Sequence, residues 1–190
     1  MRKIFDDVND GDWFVNDVQY VYDRFIMIGM GDIFGTMLPL TRERAVYVLY
    51  SHCGRPDVEG GVSWQDVDTK LWYGDAAIWA NENGVADGYS EETFGVGDAV
   101  TREQFALMLY KYALLRGYDT IYTEGMTENF ADADSVSYWA AKAVNWALSQ
   151  GIIVGKGNGS DISTYRLDPQ GTATGAECAC MIRKFMEVNE

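Results

Sequence analysis

The chain has 190 residues, 47% of them hydrophobic, including 6 Trp, 12 Tyr and 8 Phe, so it can bury a core and does not have the composition of a disordered protein. Its 15 Lys and Arg face 29 Asp and Glu, and this net charge of −14 argues against nucleic acid as a partner because it repels phosphate. No apolar run approaches the roughly 18 to 20 residues that span a bilayer, so we predict no membrane insertion.

Three similar openings divide the chain. They are Phe5-Asp6-Asp7-Val8, Trp64-Gln65-Asp66-Val67 and Phe130-Ala131-Asp132-Ala133, and they begin 59 and 66 residues apart. Each is followed by a tryptophan and, 16 residues after it, by a glycine: Trp13 and Gly29, Trp72 and Gly88, Trp139 and Gly155. These fixed spacings predict three repeated units, at about 1–63, 64–129 and 130–190.

Each unit contains two predicted helices joined by a glycine-rich loop. Apolar residues at steps of three and four predict an amphipathic first helix in Trp72 to Ala80 and in Trp139 to Ala147. Gly84 and Gly151 are placed to end this helix in a left-handed conformation, whereas the first unit has Phe25 there and is expected to end its helix differently. The third unit has a longer loop, around residues 157 to 161.

A helix pair of this size cannot bury its apolar face alone, but three pairs around a shared centre can. The sequence therefore predicts an all-α fold, with three helix-loop-helix repeats packed as a pseudo-threefold, three-pronged bundle. The whole chain, 1–190, is expected to form one domain.

The second helix of each unit is predicted to begin at a threonine. Thr101 and Thr174 are followed three residues later by Gln104 and Glu177, which is the pattern of a capping box. In the first unit Arg44 takes the place of the capping acid after Thr41 and adds a positive charge.

Arg42 and Arg102 stand at the first helical position, where the helix dipole is positive and a cation is mildly unfavourable. One interpretation is an anion site, since helix N–H groups and a guanidinium would converge on one acceptor. The structural alternative is an ion pair with an acid of a neighbouring unit, namely Asp7, Asp66 or Asp132. Gly175 replaces the arginine in the third unit, which predicts a weak or inactive site.

The opening motif, the tryptophan, the glycine, Leu167-Asp168-Pro169 and the Thr-Arg start of the second helix together resemble the S-layer homology domain, in three copies. The resemblance implies grooves between neighbouring units that hold a secondary cell-wall polysaccharide of Gram-positive bacteria, through an anionic, pyruvylated sugar. It implies carbohydrate-binding roles for the following residues: Arg42, Arg102, Gly29, Gly88, Gly155, Trp13, Trp72 and Trp139.

Departures from the pattern predict fewer than three working grooves. Arg44 supplies an extra cation in the first unit, and Lys156 is a candidate to replace the missing cation of the third groove. The structural alternatives are a solvated loop lysine and, for the three tryptophans, core positions at the heads of helices.

The sequence gives no support to catalysis. The sole histidine, His52, lies at a predicted helix end beside a Gly-Pro linker without an evident serine or cysteine partner. The cysteines Cys53, Cys178 and Cys180 lack metal-ligand spacing and are expected in the core, so we predict no metal and no cofactor.

The expected function is non-covalent anchoring at the cell wall, outside the cell. The alternative is a helical scaffold for protein–protein interaction or surface-layer assembly, with other surface-layer proteins as partners and no glycan binding.

Overall fold

The computed structural model describes residues 5–157 and 164–189, so most of the longer third loop lies outside the described residues. Within these ranges the fold is all-α, as predicted, and isolated bridges are its only β-type pairing. The helices are α1 (Val15–Asp23), α2 (Arg42–His52), α3 (Gly74–Glu82), α4 (Arg102–Arg116), α5 (Ala141–Ser149) and α6 (Gly175–Asn189), with 3₁₀ turns at Met126–Asn129 and Ala133–Ser135.

The second helices begin where the threonines predict. Thr101 Oγ1 accepts from the N–H of Gln104 at 3.2 Å while the Gln104 side chain accepts from the N–H of Thr101 at 3.0 Å. Thr174 and Glu177 exchange the same two bonds, so both predicted capping boxes are confirmed. Thr41 instead donates its hydroxyl proton to Glu43 Oε1 at 2.6 Å, since Arg44 cannot accept.

The first helices all end alike, and the prediction for Phe25 is wrong. Gly84 and Gly151 have φ of 63° and 68°, and Phe25 adopts the same left-handed conformation with φ of 57°. In each case the next N–H bonds back to a carbonyl of the helix, as Ile26 does to Val21 at 3.0 Å. The closing hydrogen bond therefore outweighs the strain of a side chain in this conformation.

Helices pair across the unit boundaries. The second helix of each unit packs on the first helix of the next: α2 on α3, α4 on α5, and α6 back on α1. At the centre, three segments close a ring of hydrogen bonds, from Leu40 N to Ala173 O, from Ala173 N to Val100 O and from Val100 N to Leu40 O, at 2.8 to 2.9 Å. The full pseudo-threefold, three-pronged arrangement and the single-domain assignment stay predictions of the sequence.

An aromatic cluster joins residues of α4, α5 and α6 in the core. Tyr112, Trp146 and Phe185 are fully buried and in ring contact, with centroid separations of 5.7 Å for Tyr112 and 6.3 Å for Trp146 from Phe185. His52 packs on this cluster and its Nδ1 lies 2.7 Å from the Tyr112 hydroxyl oxygen, so its observed contacts are structural.

Within the described residues, no helix combines the length and apolarity needed to cross a bilayer.

Candidate functional site

The aspartates of the three openings hold the loops that precede the second helices. Asp66 accepts the N–H groups of Phe94, Gly95 and Val96 at 2.7 to 2.9 Å. Burial alone would raise the pKa of Asp66, but these three donors outweigh it and hold the pKa below its usual value. Asp7 binds Phe34, Gly35 and Thr36 in the same way, and Asp132 binds Leu167 and Asp168.

Arg42 and Arg102 do not form the ion pairs with these aspartates that the structural alternative proposed. The guanidinium of Arg42 donates instead to two backbone carbonyls of the second unit, from Nε to Phe94 O at 2.8 Å and from Nη2 to Asp87 O at 2.7 Å. It also lies over the ring of Tyr89, 4.3 Å from the centroid. Because carbonyls are neutral, these contacts orient the guanidinium without cancelling its charge.

One edge of the Arg42 guanidinium stays available. Nη1 takes part in neither carbonyl bond, and no buried polar side-chain atom of the described residues lacks a hydrogen-bond partner. Nη1 is therefore reached by solvent, although Arg42 as a whole is only 4% exposed.

Arg102 makes the matching contacts with the third unit. Its Nε donates to Leu167 O at 2.9 Å and its Nη2 to Val154 O at 3.1 Å. Its Nη1 differs from that of Arg42, because it lies 3.4 Å from Glu177 Oε1. The two arginines thus bridge successive units in the same way but have different electrostatic partners.

Gly175 stands at the third equivalent position, and the structure explains the missing arginine. A Cβ atom on Gly175 would lie 2.3 Å from the carbonyl oxygen of Gly35, closer than such atoms approach. The first loop thus approaches this helix start more closely than a side chain would allow. An arginine here would require the backbone of that loop to move.

Three clefts open at these contacts, one beside each loop. Cleft I lies between Gly29, α2 and Trp72 and has a volume of about 560 Å³. Cleft II lies between Gly88, α4 and Trp139, with about 280 Å³, and is lined by Arg42. Cleft III lies between Gly155, α6 and Trp13, with about 600 Å³, and is lined by Arg102. Each cleft thus takes residues from all three units.

All ten residues proposed from the sequence line these three clefts. Arg44 lies in cleft I with Gly29 and Trp72, and Lys156 lies in cleft III with Gly155, Arg102 and Trp13. The placement of Lys156 corrects one expectation: it joins a cleft that already has a helix-starting arginine, Arg102, whereas the cleft that lacks the helix-starting arginine is cleft I, at Gly175. The sequence could not show this, because each arginine contacts the loop of the next unit and not of its own.

The three tryptophans are not core residues. Trp13, Trp72 and Trp139 are 65%, 55% and 50% exposed, and the residue that enters the core is the next one along the chain. Phe14, Tyr73 and Ala140 fill those buried places. The indole rings are therefore free to contact a ligand in the clefts.

The repeated glycines have a packing role. A Cβ atom on Gly88 would come within 2.2 Å of Trp64 Nε1, and one on Gly155 within 2.4 Å of the Phe130 ring. Gly29 meets Phe5 at 2.5 Å and has φ of 75°. Glycine lets the opening aromatic of each unit pack beneath the floor of its cleft.

The clefts differ in charge. Cleft I is lined by one acid, Glu43, and one cation, Arg44, which contacts Met30 Sδ; burial lowers the pKa of this guanidinium. In cleft II Lys111 pairs with Asp87. In cleft III Lys156 lies 2.8 Å from Asp168 and 2.9 Å from Glu177, and Lys184 adds another cation.

Sequence reasoning missed several lining residues. Gln104 and Glu177 were interpreted as helix caps alone, and Tyr89, Lys111 and Lys184 were not considered. Gln104 and Glu177 each lie three residues after the helix-starting threonine. This shared spacing was a signal that could have placed both in the linings of equivalent clefts.

The described residues contain no group of three or more His, Cys, Asp and Glu side chains arranged to hold a metal ion.

The fold and its clefts define a helical repeat module that presents exposed tryptophans and cations in clefts between units. Comparison with known families identifies it: residues 65–106 and 129–179 match the S-layer homology domain model, and the chain belongs to this family. The first unit lies outside the matched ranges, and its assignment as a third repeat rests on the shared motif spacing.

Similar proteins include a surface-layer 125 kDa protein of Lysinibacillus sphaericus, 31% identical over 90% of this chain and 14% of that protein. An amylopullulanase of Thermoanaerobacterium thermosulfurigenes is 27% identical over 97% of the chain and 10% of that protein. A cellulosome-anchoring protein of Acetivibrio thermocellus is 24% identical over 83% of the chain and 34% of that protein. The chain therefore corresponds to a minor part of each of these relatives.

Proposed function

We propose that this chain anchors a surface protein to the cell wall by binding an anionic secondary cell-wall polysaccharide, with a pyruvylated sugar, in its clefts. The chain would act outside the cell and as a binding module without catalysis. The enzyme names among its relatives belong to proteins much longer than the matched segment.

One observation carries this proposal. The cation, the exposed tryptophan and the loop glycine, selected from motif spacing, come together in clefts II and III from different units of the chain. A guanidinium recognises a carboxylate, and an indole face packs on the apolar face of a sugar ring. We assign the main binding to these two clefts, since the cleft I position of the arginine is Gly175.

The overall charge of −14 does not oppose an anionic ligand. At physiological salt the Debye length is about 8 Å, so distant carboxylates are screened whereas a guanidinium in contact with the ligand is not. The cations in the cleft, and not the net charge, therefore determine the attraction for the ligand.

The first test is co-sedimentation of the purified chain with cell-wall sacculi, before and after removal of the attached polysaccharide. The proposal requires sedimentation with intact sacculi and its loss after removal. A protein scaffold that does not bind glycan would give no such difference, and that result would overturn the proposal.

A variant pair connects the binding to the clefts. Replacing both Trp13 and Trp139 by alanine should weaken the affinity for sacculi by about tenfold or more, since the contact of each indole ring with a sugar is worth on the order of 1 kcal/mol. Tyr138→Ala is the matched control, because Tyr138 is 97% exposed and lines none of the three clefts. Equal binding by the double variant and the control would remove clefts II and III from the mechanism.

A further inference from the structure

Three equivalent residues place different charges in the three clefts. Arg44, Gln104 and Glu177 each follow the helix-starting threonine by three residues, and they line clefts I, II and III respectively. Gln104 and Glu177 make the same capping-box bonds, so their backbones and side chains begin from the same geometry. The chemical difference between them is one negative charge.

Glu177 places that charge on the cations of cleft III. Its Oε1 lies 3.4 Å from Arg102 Nη1 and 2.9 Å from Lys156 Nζ, and its side chain is only 14% exposed. Arg102 directs its other two nitrogens at backbone carbonyls. The one edge of this guanidinium that could receive a ligand carboxylate is therefore occupied by a carboxylate of the protein.

Cleft II has no such competitor. Gln104 is neutral, and among the described residues no carboxylate lies within ion-pair distance of Arg42. The nearest acid of the lining, Asp87, is engaged by Lys111 on α4. The Nη1 edge of Arg42 is thus free for an anionic group.

Long-range attraction does not favour cleft II over cleft III. Cleft II has Arg42 and Lys111 against Asp87, while cleft III has Arg102, Lys156 and Lys184 against Glu177, so both linings are net positive. The contact at the guanidinium decides between them, because only groups in contact escape screening.

We infer that Glu177 is an internal carboxylate that competes with the ligand for Arg102, which makes cleft II the primary site and cleft III a secondary one. This inference rests on the proposed function. A bound anion in cleft III must displace Glu177, whereas cleft II accepts the anion directly. A partly buried, charge-assisted contact of this kind corresponds to about a tenfold difference in dissociation constant.

The tryptophans allow each cleft to be followed separately. Trp139 reports on cleft II, Trp13 on cleft III and Trp72 on cleft I, so their indole N–H signals in ¹H–¹⁵N spectra give one binding curve for each cleft. The signals are assigned by single Trp→Phe substitutions. The probe is a pyruvylated aminosugar, with the same sugar lacking pyruvate as the reference ligand.

The decisive variants exchange the charge. Glu177→Gln keeps a capping acceptor, as Gln104 shows, and should tighten probe binding at Trp13 by about tenfold without changing Trp139. Gln104→Glu should weaken binding at Trp139 by a similar factor. Glu187→Gln is the control, since it removes the same charge from α6 at a residue that pairs with Arg183 and does not line cleft III. The buried Trp79 and Trp146 signals verify that each variant is folded.

The outcomes distinguish the proposed glycan binding from the competition by Glu177. If no cleft tryptophan of the parent chain responds to the pyruvylated probe, the proposed function fails. If Trp13 and Trp139 respond with equal affinity and Glu177→Gln changes neither curve, the competition by Glu177 is wrong while glycan binding stands. Unequal curves that exchange their order in the double variant Glu177→Gln, Gln104→Glu support the inference.

Discussion

Phe25 ends α1 in a left-handed backbone conformation that a side chain seldom adopts, with φ of 57°, and its side chain is 70% exposed. Little packing would be lost with this side chain, whereas the strain would be relieved by glycine. We predict that Phe25→Gly raises the free energy of unfolding by about 0.5 to 1 kcal/mol. Urea denaturation followed by circular dichroism at 222 nm measures the change.

The equivalent residue Gly84 provides the reciprocal control. It has φ of 63°, and a Cβ atom there would meet no other atom, so Gly84→Ala introduces strain alone. It should lower the free energy of unfolding by about 1 kcal/mol. A Phe25→Gly variant less stable than the parent chain would mean that the phenyl ring contributes more than its exposure suggests.

Single residues also show which contacts could be predicted from the sequence and which could not. The motif spacing identified the residues that line the clefts, including Arg42 and Arg102, because repetition at fixed offsets marks equivalent positions. It could not identify their partners, since backbone carbonyls such as Phe94 O exist at every residue and leave no sequence signal. The exposed tryptophans were equally hidden, because the helix takes its buried aromatic from the following position, as at Tyr73.

The loops between the two helices of a unit owe their shape to a carboxylate. Asp7 accepts the N–H groups of Phe34, Gly35 and Thr36 and also the Thr36 hydroxyl. Burial alone would raise the pKa of Asp7, but these donors outweigh it and lower the pKa below its ordinary value. A carboxylate with a lowered pKa in the folded state stabilises above its unfolded pKa, and that stabilisation is lost as the pH falls through the folded value.

We therefore predict that Asp7→Asn lowers the free energy of unfolding at pH 7 by about 2 kcal/mol, because an amide cannot accept all of these bonds. Between pH 7 and pH 3 the variant should lose less stability than the parent chain, since one of the groups linked to this transition is gone. Urea denaturation at the two pH values tests both parts.

Asp10→Asn is the control for this loop, since Asp10 is an exposed carboxylate near the same opening. It should leave both the stability and its pH dependence nearly unchanged. An Asp7→Asn variant with the full acid sensitivity of the parent chain would show that the loop is not held by this charge.

At the level of elements, the sequence predicted where helices begin better than where they end. Thr41, Thr101 and Thr174 mark the starts of α2, α4 and α6. At Thr101 and Thr174 the cap is a local interaction between residues three apart, which a sequence pattern can show. The end of α1 was wrong, since the absence of glycine at Phe25 was taken to exclude a conformation that the surrounding hydrogen bonds enforce.

For the whole molecule, the informative feature is the exchange of helix partners. Periodicity identifies the apolar face of a helix, but it does not state which helix covers that face. In this chain α2 packs on α3, α4 on α5 and α6 on α1, so each close helix pair combines two units. The clefts follow from the same exchange, since each takes its loop and its tryptophan from different units.

This closure predicts that a two-unit fragment cannot keep the native fold. In residues 1–129 the partners of α1 and α4 are missing, because these are α6 and α5, and the central ring loses Ala173. We expect the fragment to lack a cooperative urea transition and to exchange its amide hydrogens rapidly, whereas the parent chain unfolds in one cooperative step.

The control keeps all three helix pairs but breaks the chain elsewhere. A circular permutant that starts at Gly61 and ends at Gly60, with the original ends joined by a flexible linker, interrupts an exposed connection between α2 and α3. Because α1 and α6 already pack together, the permutant should retain a cooperative transition. Its free energy of unfolding should lie within about 1 kcal/mol of that of the parent chain, which corresponds to a few degrees in Tm. A cooperative two-unit fragment would instead mean that each unit is stable by itself, and the reliance of the fold on a closed ring of partners would be refuted.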